Sequence, residues 1–106
     1  AGKLEAGEDP FEAAKRELEE ECGVTADEYT PLGCIYPTVG YDNEKIYIWM
    51  AKGLHKTHQH LDADEFLDVH KVPFDQALKL VLDNTIRDSK TVAGILRYAL
   101  MRRGVQ

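Results

Sequence analysis

The stretch "RELEEECG", Arg16 to Gly23, places glutamates at 17, 19, 20 and 21 on what reads as one short helix. The helix is expected to begin near Asp9-Pro10: Asp9 can cap it, Pro10 suits the first helical position, and Glu12 completes a box-like pair with Asp9. Gly23 ends it. With an advance of ~100° per residue, Phe11, Ala14, Leu18 and Cys22 share one stripe, the expected buried face. Glu17, Glu20 and Glu21 fall on an adjacent arc, with Glu19 turned toward solvent. Like charges three and four residues apart cost a helix a few tenths of a kcal/mol per pair, a penalty that a divalent cation would reverse. Mg²⁺ suits such a face because it takes oxygen ligands, usually one or two carboxylates with water and substrate phosphate. A solvated acidic face has the same pattern, so the glutamates alone leave both readings open.

Outside this helix, the bounds are simple. The 106 residues, 43% hydrophobic, suffice for one small domain and not two. Nineteen acidic against thirteen basic residues give a formal charge of −6, which argues against nucleic acid as a partner. An anionic ligand would need a cation as intermediary. Cys22 and Cys34 have no metal-knuckle spacing and read as reduced thiols in a reducing compartment. No stretch reads as a basic-then-apolar leader, and no apolar run approaches the ~20 residues of a bilayer span. A soluble, cytoplasmic protein without a membrane partner is the expectation.

Further along, Leu32 to Tyr36 reads as a strand, "PTVGYDNE" from Pro37 to Glu44 as a turn, and "KIYIWMA" from Lys45 to Ala51 as a second strand. Because Ile46, Ile48 and Met50 lie on one face and Tyr47, Trp49 and Ala51 on the other, this strand is expected to be central and covered on both sides. Gly53 to Asp64 reads as a polar loop, and Phe66 to Val72 as a strand ended by Pro73. Two amphipathic helices follow, one carrying Phe74, Ala77, Leu78, Val81 and Leu82. The other is capped by Asp88, carries Val92, Ile95, Leu96, Ala99 and Leu100, and has Arg102 and Arg103 at its C-terminal end.

Gly2, Glu8, Arg16-Glu17-Leu18, Glu20-Glu21 and Gly23-Val24 match, at nine fixed positions, the pattern Gly, five residues, Glu, seven residues, Arg-Glu-aliphatic-any-Glu-Glu-any-Gly-aliphatic. This resembles the Nudix box. The resemblance implies an α/β fold, the Nudix-type α/β/α sandwich with a mixed sheet, and a Mg²⁺-dependent hydrolase (Mn²⁺ being the alternative ion) of nucleoside diphosphates linked to another moiety. Residues 1–106 would then be a partial Nudix domain that begins at the box and lacks the N-terminal strands. By the same resemblance Glu17, Glu20 and Glu21, with the main-chain carbonyl of Ala1, would be metal ligands, Gly2 would lie at the substrate, and Glu8 would pair with Arg16. Glu20 and Arg16 would belong to the catalytic set.

Beyond the box, "YPTVGYDNEKIYIWMAKGL" (36–54), "LDADEFLDVHKVPFDQAL" (61–78) and "IRDSKTVAGILRYAL" (86–100) resemble ADP-ribose pyrophosphatases in order and spacing. That resemblance implies hydrolysis of ADP-ribose to AMP and ribose 5-phosphate, by a full-length protein that is a homodimer. Val39 departs from it, standing where those enzymes usually have proline after Ser/Thr, so another nucleotide-sugar is an alternative substrate. A nucleotide-sensing module without turnover is the other alternative, although such modules commonly lose box glutamates and all are present here. Hydrolysis needs a general base for the attacking water; Glu65 matches the family's loop glutamate, with Asp64 as runner-up. Gly40 would contact phosphate and Glu44 would orient the site, unless Glu44 serves only as a turn residue. Tyr41 could stack on a sugar or base or simply pack. His58 and His60 have a spacing open to a transition metal but read better as solvated loop histidines.

Overall fold

Asp9 accepts hydrogen bonds at Oδ2 from the backbone N–H of Phe11 (3.0 Å) and Glu12 (3.2 Å), and with Pro10 behind it starts helix α1, Pro10–Cys22. Gly23 stops the helix. Its φ of 68° and ψ of 34° are left-handed, and its N–H closes on Glu19 O at 2.9 Å. In this computed structural model residues 7–38, 40, 44–58 and 69–104 are described.

Strand β1, Val24–Ile35, leaves Gly23 directly, and β2, Ile46–Lys56, pairs with it in a two-stranded sheet. The pairing is antiparallel: Thr57 N, just past the end of β2, donates to Gly23 O, just before β1, at 2.6 Å. Helix α2, Phe74–Leu82, follows Pro73, and α3, Ser89–Arg102, is capped by Asp88, whose Oδ2 accepts from Thr91 N at 3.0 Å. This is part of an α/β fold, as expected, with all three helices where the caps and apolar periodicity placed them.

The strands differ from the expectation. β1 begins at Val24 and not at Leu32, because exposed Asp27 and Glu28 and the interior Pro31 break the apolar alternation by which a strand is read. β2 runs five residues past Ala51 into the stretch read as loop, where His55 Nε2 meets Asp27 Oδ1 across the sheet at 2.8 Å. Nor is β2 covered on both faces over its whole length: Tyr47 and residues 52–56 are exposed, and among the described residues β1 is its pairing partner. Of the strand expected at 66–72, residues 66–68 lie outside the described residues and 69–72 have no regular structure.

Two compact units share the chain, Ala1–Pro31 with Trp49–His70, and Leu32–Ile48 with Lys71–Gln106. In the first, Phe11 of α1 sets its ring edge-on to Tyr29 (centroids 5.4 Å apart) and against Trp49 (5.0 Å), so three aromatics fasten the helix to the strands. Trp49 Nε1 is sealed from solvent with no hydrogen-bond partner among the described residues, a polar cost of that packing. The buried residue of α1 is Ala13; Phe11, Ala14 and Leu18 are half-buried and Cys22 is exposed, so the helix is rotated from the expected stripe. In the second unit Phe74 and Tyr98 meet edge to face at 4.8 Å, and Arg102 covers Phe74 while donating to Asp75 at 2.7 Å. Gly94 lets α3 approach β2, since a Cβ there would lie 3.3 Å from Ile48 Cγ2. Among the described residues both cysteines are unpaired, and no helix is long and apolar enough to cross a membrane.

Candidate functional site

The acidic helix is organised by one guanidinium. Glu8, just ahead of the N-cap, takes the fork of Arg16: Nε donates to Oε2 at 2.9 Å and Nη2 to Oε1 at 3.0 Å. Bidentate charge-assisted bonds of this kind are the strong, geometrically specific ones. The same guanidinium also reaches the helix glutamates: Nη1 donates to Glu20 Oε2 at 2.9 Å, and Nη2, already bound to Glu8, lies 3.1 Å from Glu17 Oε1. Side-chain exposure rises from 15% at Glu8 and 17% at Glu17 to 33% at Glu20, with Arg16 at 27%, so the hub is sheltered without being sealed.

Charge crowding shows in the titration of these groups. The Arg16 pKa is raised, chiefly by its hydrogen bonds to Glu8, with Glu17 and Glu20 adding to the effect. The Glu17 carboxyl is pushed up first by desolvation and then by the neighbouring Glu21, while Arg16 opposes the shift. One guanidinium therefore touches three carboxylates, Glu8, Glu17 and Glu20.

Among the described residues no three acidic, histidine or cysteine side chains gather closely enough to hold a metal ion, so the convergence expected of Glu17, Glu20 and Glu21 is not formed. Glu17 and Glu20 both turn to Arg16 instead. The donor set suits a hard divalent cation in its chemistry, as three half-buried carboxylates within little more than one helical turn. What the sequence reading missed is this second function of Arg16, for which the i,i+4 spacing of Arg16 and Glu20 was the available signal.

The other sequence candidates fall elsewhere. Ala1, Gly2, Val39, Tyr41, His60, Asp64 and Glu65 lie outside the described residues. Gly40 sits exposed in a turn with φ of 93°, a conformation that favours glycine whatever its function. Glu44 is exposed two residues before β2, and His58 is exposed just beyond it. Gly40 and Glu44 belong to the second unit, whereas Glu8, Arg16, Glu17, Glu20 and Glu21 belong to the first.

The box geometry is matched by likeness along the chain: residues 1–93 fit the NUDIX domain. The chain belongs to the Nudix family. It is 39% identical over 108 aligned positions to an ADP-ribose pyrophosphatase of Bacillus subtilis (strain 168), covering 100% of this chain and 58% of that protein. It is also 42% identical over 97 positions to a methanol dehydrogenase activator of Bacillus methanolicus, covering 90% and 52% of the two chains. A GDP-mannose pyrophosphatase of Yersinia pestis (strain Pestoides F) is 33% identical over 103 positions, covering 93% and 50%. Among solved structures, an ADP compounds hydrolase superposes with a TM-score of 0.73 at 28% identity, covering 97% of this chain and 57% of that one. The chain thus spans about half the length of the relatives it matches.

Proposed function

We propose that the full-length protein is a divalent-metal-dependent Nudix pyrophosphohydrolase, with ADP-ribose as substrate and AMP and ribose 5-phosphate as products. The observation that carries this reading is the Arg16 hub: Glu8, Arg16, Glu17 and Glu20 meet at box spacing in a chain 39% identical to an ADP-ribose pyrophosphatase. Glu17, Glu20 and Glu21 would hold Mg²⁺, or Mn²⁺ in its place, with the Ala1 carbonyl as a further ligand. When bound, such an ion supplies charge neutralisation for the diphosphate and lowers the pKa of the attacking water.

The chain's own residues do the rest. Glu8 holds Arg16, and Arg16 sets the orientation of Glu17 and Glu20 on α1. Glu65 takes the proton of the attacking water, with Asp64 as the alternative base. Gly2 and Gly40 would border the substrate, and Glu44 would orient it. The family likeness also supports a homodimer, and the two unpaired cysteines suit a reducing, cytoplasmic setting.

A second reading is favoured by one observation, the relative named as a methanol dehydrogenase activator: a nucleotide-responsive module whose effect is exerted on another protein. The two separate in one experiment. Purified full-length protein is incubated with Mg²⁺ and a panel of ADP-ribose, GDP-mannose and other nucleotide-sugars, and mononucleotide release is measured beside equilibrium binding. The hydrolase reading expects release of AMP from ADP-ribose, abolished by Glu20→Gln or Glu21→Gln with the fold retained. Binding without release would support the module instead.

A further inference from the structure

We infer that the α2–α3 hairpin is the surface by which two copies of this chain associate, each hairpin seated on the acidic residues 1–70 of the other copy. This rests on the homodimer proposed above, to which it adds the surface and what that surface meets.

The charge of the chain is unevenly placed. Residues 71–106 hold seven basic and three acidic side chains, a net +4, whereas residues 1–70 hold six basic and sixteen acidic, a net −10. The three acids of the hairpin are moreover engaged within it. Asp75 accepts from Arg102 at 2.7 Å, Asp88 from Lys90 at 2.7 Å and from the N–H of Thr91 at 3.0 Å, and Asp83 from the N–H of Thr85 at 2.9 Å. Lys71, Lys79, Arg87, Arg97 and Arg103 are exposed and form no ion pair with a described residue. Arg97 is also held in place, lying against Gly33 of β1 where a side chain would collide with its guanidinium. Cations positioned in this way and left unneutralised match an anionic partner.

Charge supplies orientation and rate more than affinity, and the hairpin carries apolar surface as well. Leu82 is 72% exposed and Leu100 50%. Leu96, Leu100 and Arg103 recur at spacings of four and three, so they share one stripe of α3, away from the side on which Gly94 approaches Ile48 and Tyr98 meets Phe74. Exposed leucines beside arginines suit a protein partner. A polyphosphate or an anionic bilayer would meet the net −10 of residues 1–70 as well as the hairpin, and be repelled. A second copy brings that acidic surface itself. Two chains of net charge −6 repel at long range, but charges further apart than ~8 Å are largely screened at physiological ionic strength, so the local match decides. A two-fold axis makes the contact twice and closes the assembly at two copies.

The test uses the full-length protein. Isotopically light and heavy copies are mixed, allowed to exchange, and treated with a carbodiimide, which couples a lysine amine to a carboxylate that it touches. Mass spectrometry of the mixed-isotope peptides should place links between copies at Lys71 or Lys79 on one side and at acidic side chains of residues 1–70 on the other. In sedimentation equilibrium the double variant Arg97→Glu, Arg103→Glu should raise the dimer Kd at least about tenfold, the combined effect of reversing two exposed charges in a contact made twice. High salt should weaken the parent dimer in the same direction. Links between copies that leave the hairpin out would overturn the inference, as would a Kd unchanged by the double variant, and the homodimer itself would survive either result. A parent that sediments as a monomer at every concentration would overturn both. The cross-linking requires no variant, so it decides the question even if the doubly substituted chain does not fold.

Discussion

Removing the charge of Glu8 offers the most direct measure of what the Arg16 hub contributes. Glu8→Gln keeps the shape of the side chain and one acceptor oxygen but places an amide donor against a guanidinium that can only donate. One of the two bonds at 2.9 and 3.0 Å is therefore lost and the other becomes neutral–ionic. Hydrogen bonds to charged groups contribute about 1.5–3 kcal/mol each, and a half-sheltered pair keeps more of this than an exposed one, so the expected loss is about 1–3 kcal/mol. The same helix supplies its own control. Lys15 and Glu12 meet at 3.0 Å with side chains 39% and 62% exposed, a pair for which Glu12→Gln should cost no more than about 1 kcal/mol even with loss of its favourable position in the first turn.

The assay is urea unfolding of the full-length protein in chelator, at low and high salt, read as a shift in midpoint at constant slope. The Glu12→Gln effect should fade in high salt while most of the Glu8→Gln effect survives. A cycle with Arg16→Gln should give a coupling between positions 8 and 16 of at least about 1 kcal/mol. If Glu8→Gln cost no more than Glu12→Gln, or if the coupling vanished, the fork would contribute nothing beyond an exposed surface pair and the hub reading would fail.

Glu65→Gln should lower kcat at least about a hundredfold under saturating Mg²⁺, with a smaller effect on KM, and Asp64→Asn should do much less; the reverse order in a steady-state assay would make Asp64 the base. In metal-free buffer Glu17→Gln should be no less stable than the parent at neutral pH. Since desolvation and Glu21 raise the Glu17 pKa in the folded state, its ionisation opposes folding, and the variant should lose the decline in stability that the parent shows as pH rises through that raised pKa; a clear destabilisation in thermal melts would contradict this. Asp88, the cap of α3, is held at about 2 by Lys90 and Thr91, below the usual 3.8. Its contribution is therefore full above the unfolded value and disappears as pH falls from about 4 toward about 2. Asp88→Ala should cost about 0.5–2 kcal/mol at pH 7 and little at pH 2, as followed by circular dichroism.

The helices were legible in the sequence because their signals are local. Asp9, Pro10 and Gly23 bracket α1 within its own 13 residues, and Asp88 opens α3 by bonds that reach no further than Thr91. A strand carries no such bracket. The first eight residues of β1 were unreadable because their partners lie on β2, as far off as the 28 residues that separate Asp27 from His55; exposed Asp27 and Glu28 then look like loop. The site divides in the same way. The Glu8–Arg16 pair was accessible through the box pattern, and the pull of Arg16 on Glu20 was implicit in their spacing, whereas the rotation that buries Ala13 and exposes Cys22 is set by how Phe11 packs on Tyr29 and Trp49.

Helix α1 obeys the rules of helix stability everywhere except where the carboxylates cluster. Its start has an aspartate cap, a proline at the first position and an acidic residue in the first turn, and its end has a left-handed glycine. The last turn should then carry a cation, to meet the negative end of the helix dipole, and it carries none. Instead Glu19, Glu20 and Glu21 stand there, each disfavoured by the dipole, by about 0.3–1 kcal/mol for an exposed charge, and crowded by one another. A sequence selected for stability alone would replace one of them with lysine at no cost in packing, since all are partly solvent-facing. Conflict confined to one turn of an otherwise well-formed element is the mark of a functional site. Here Arg16 relieves it at Glu17 and Glu20, by contacts of 3.1 and 2.9 Å, and the carboxylates at the end of the helix are kept against the rules that shape its start.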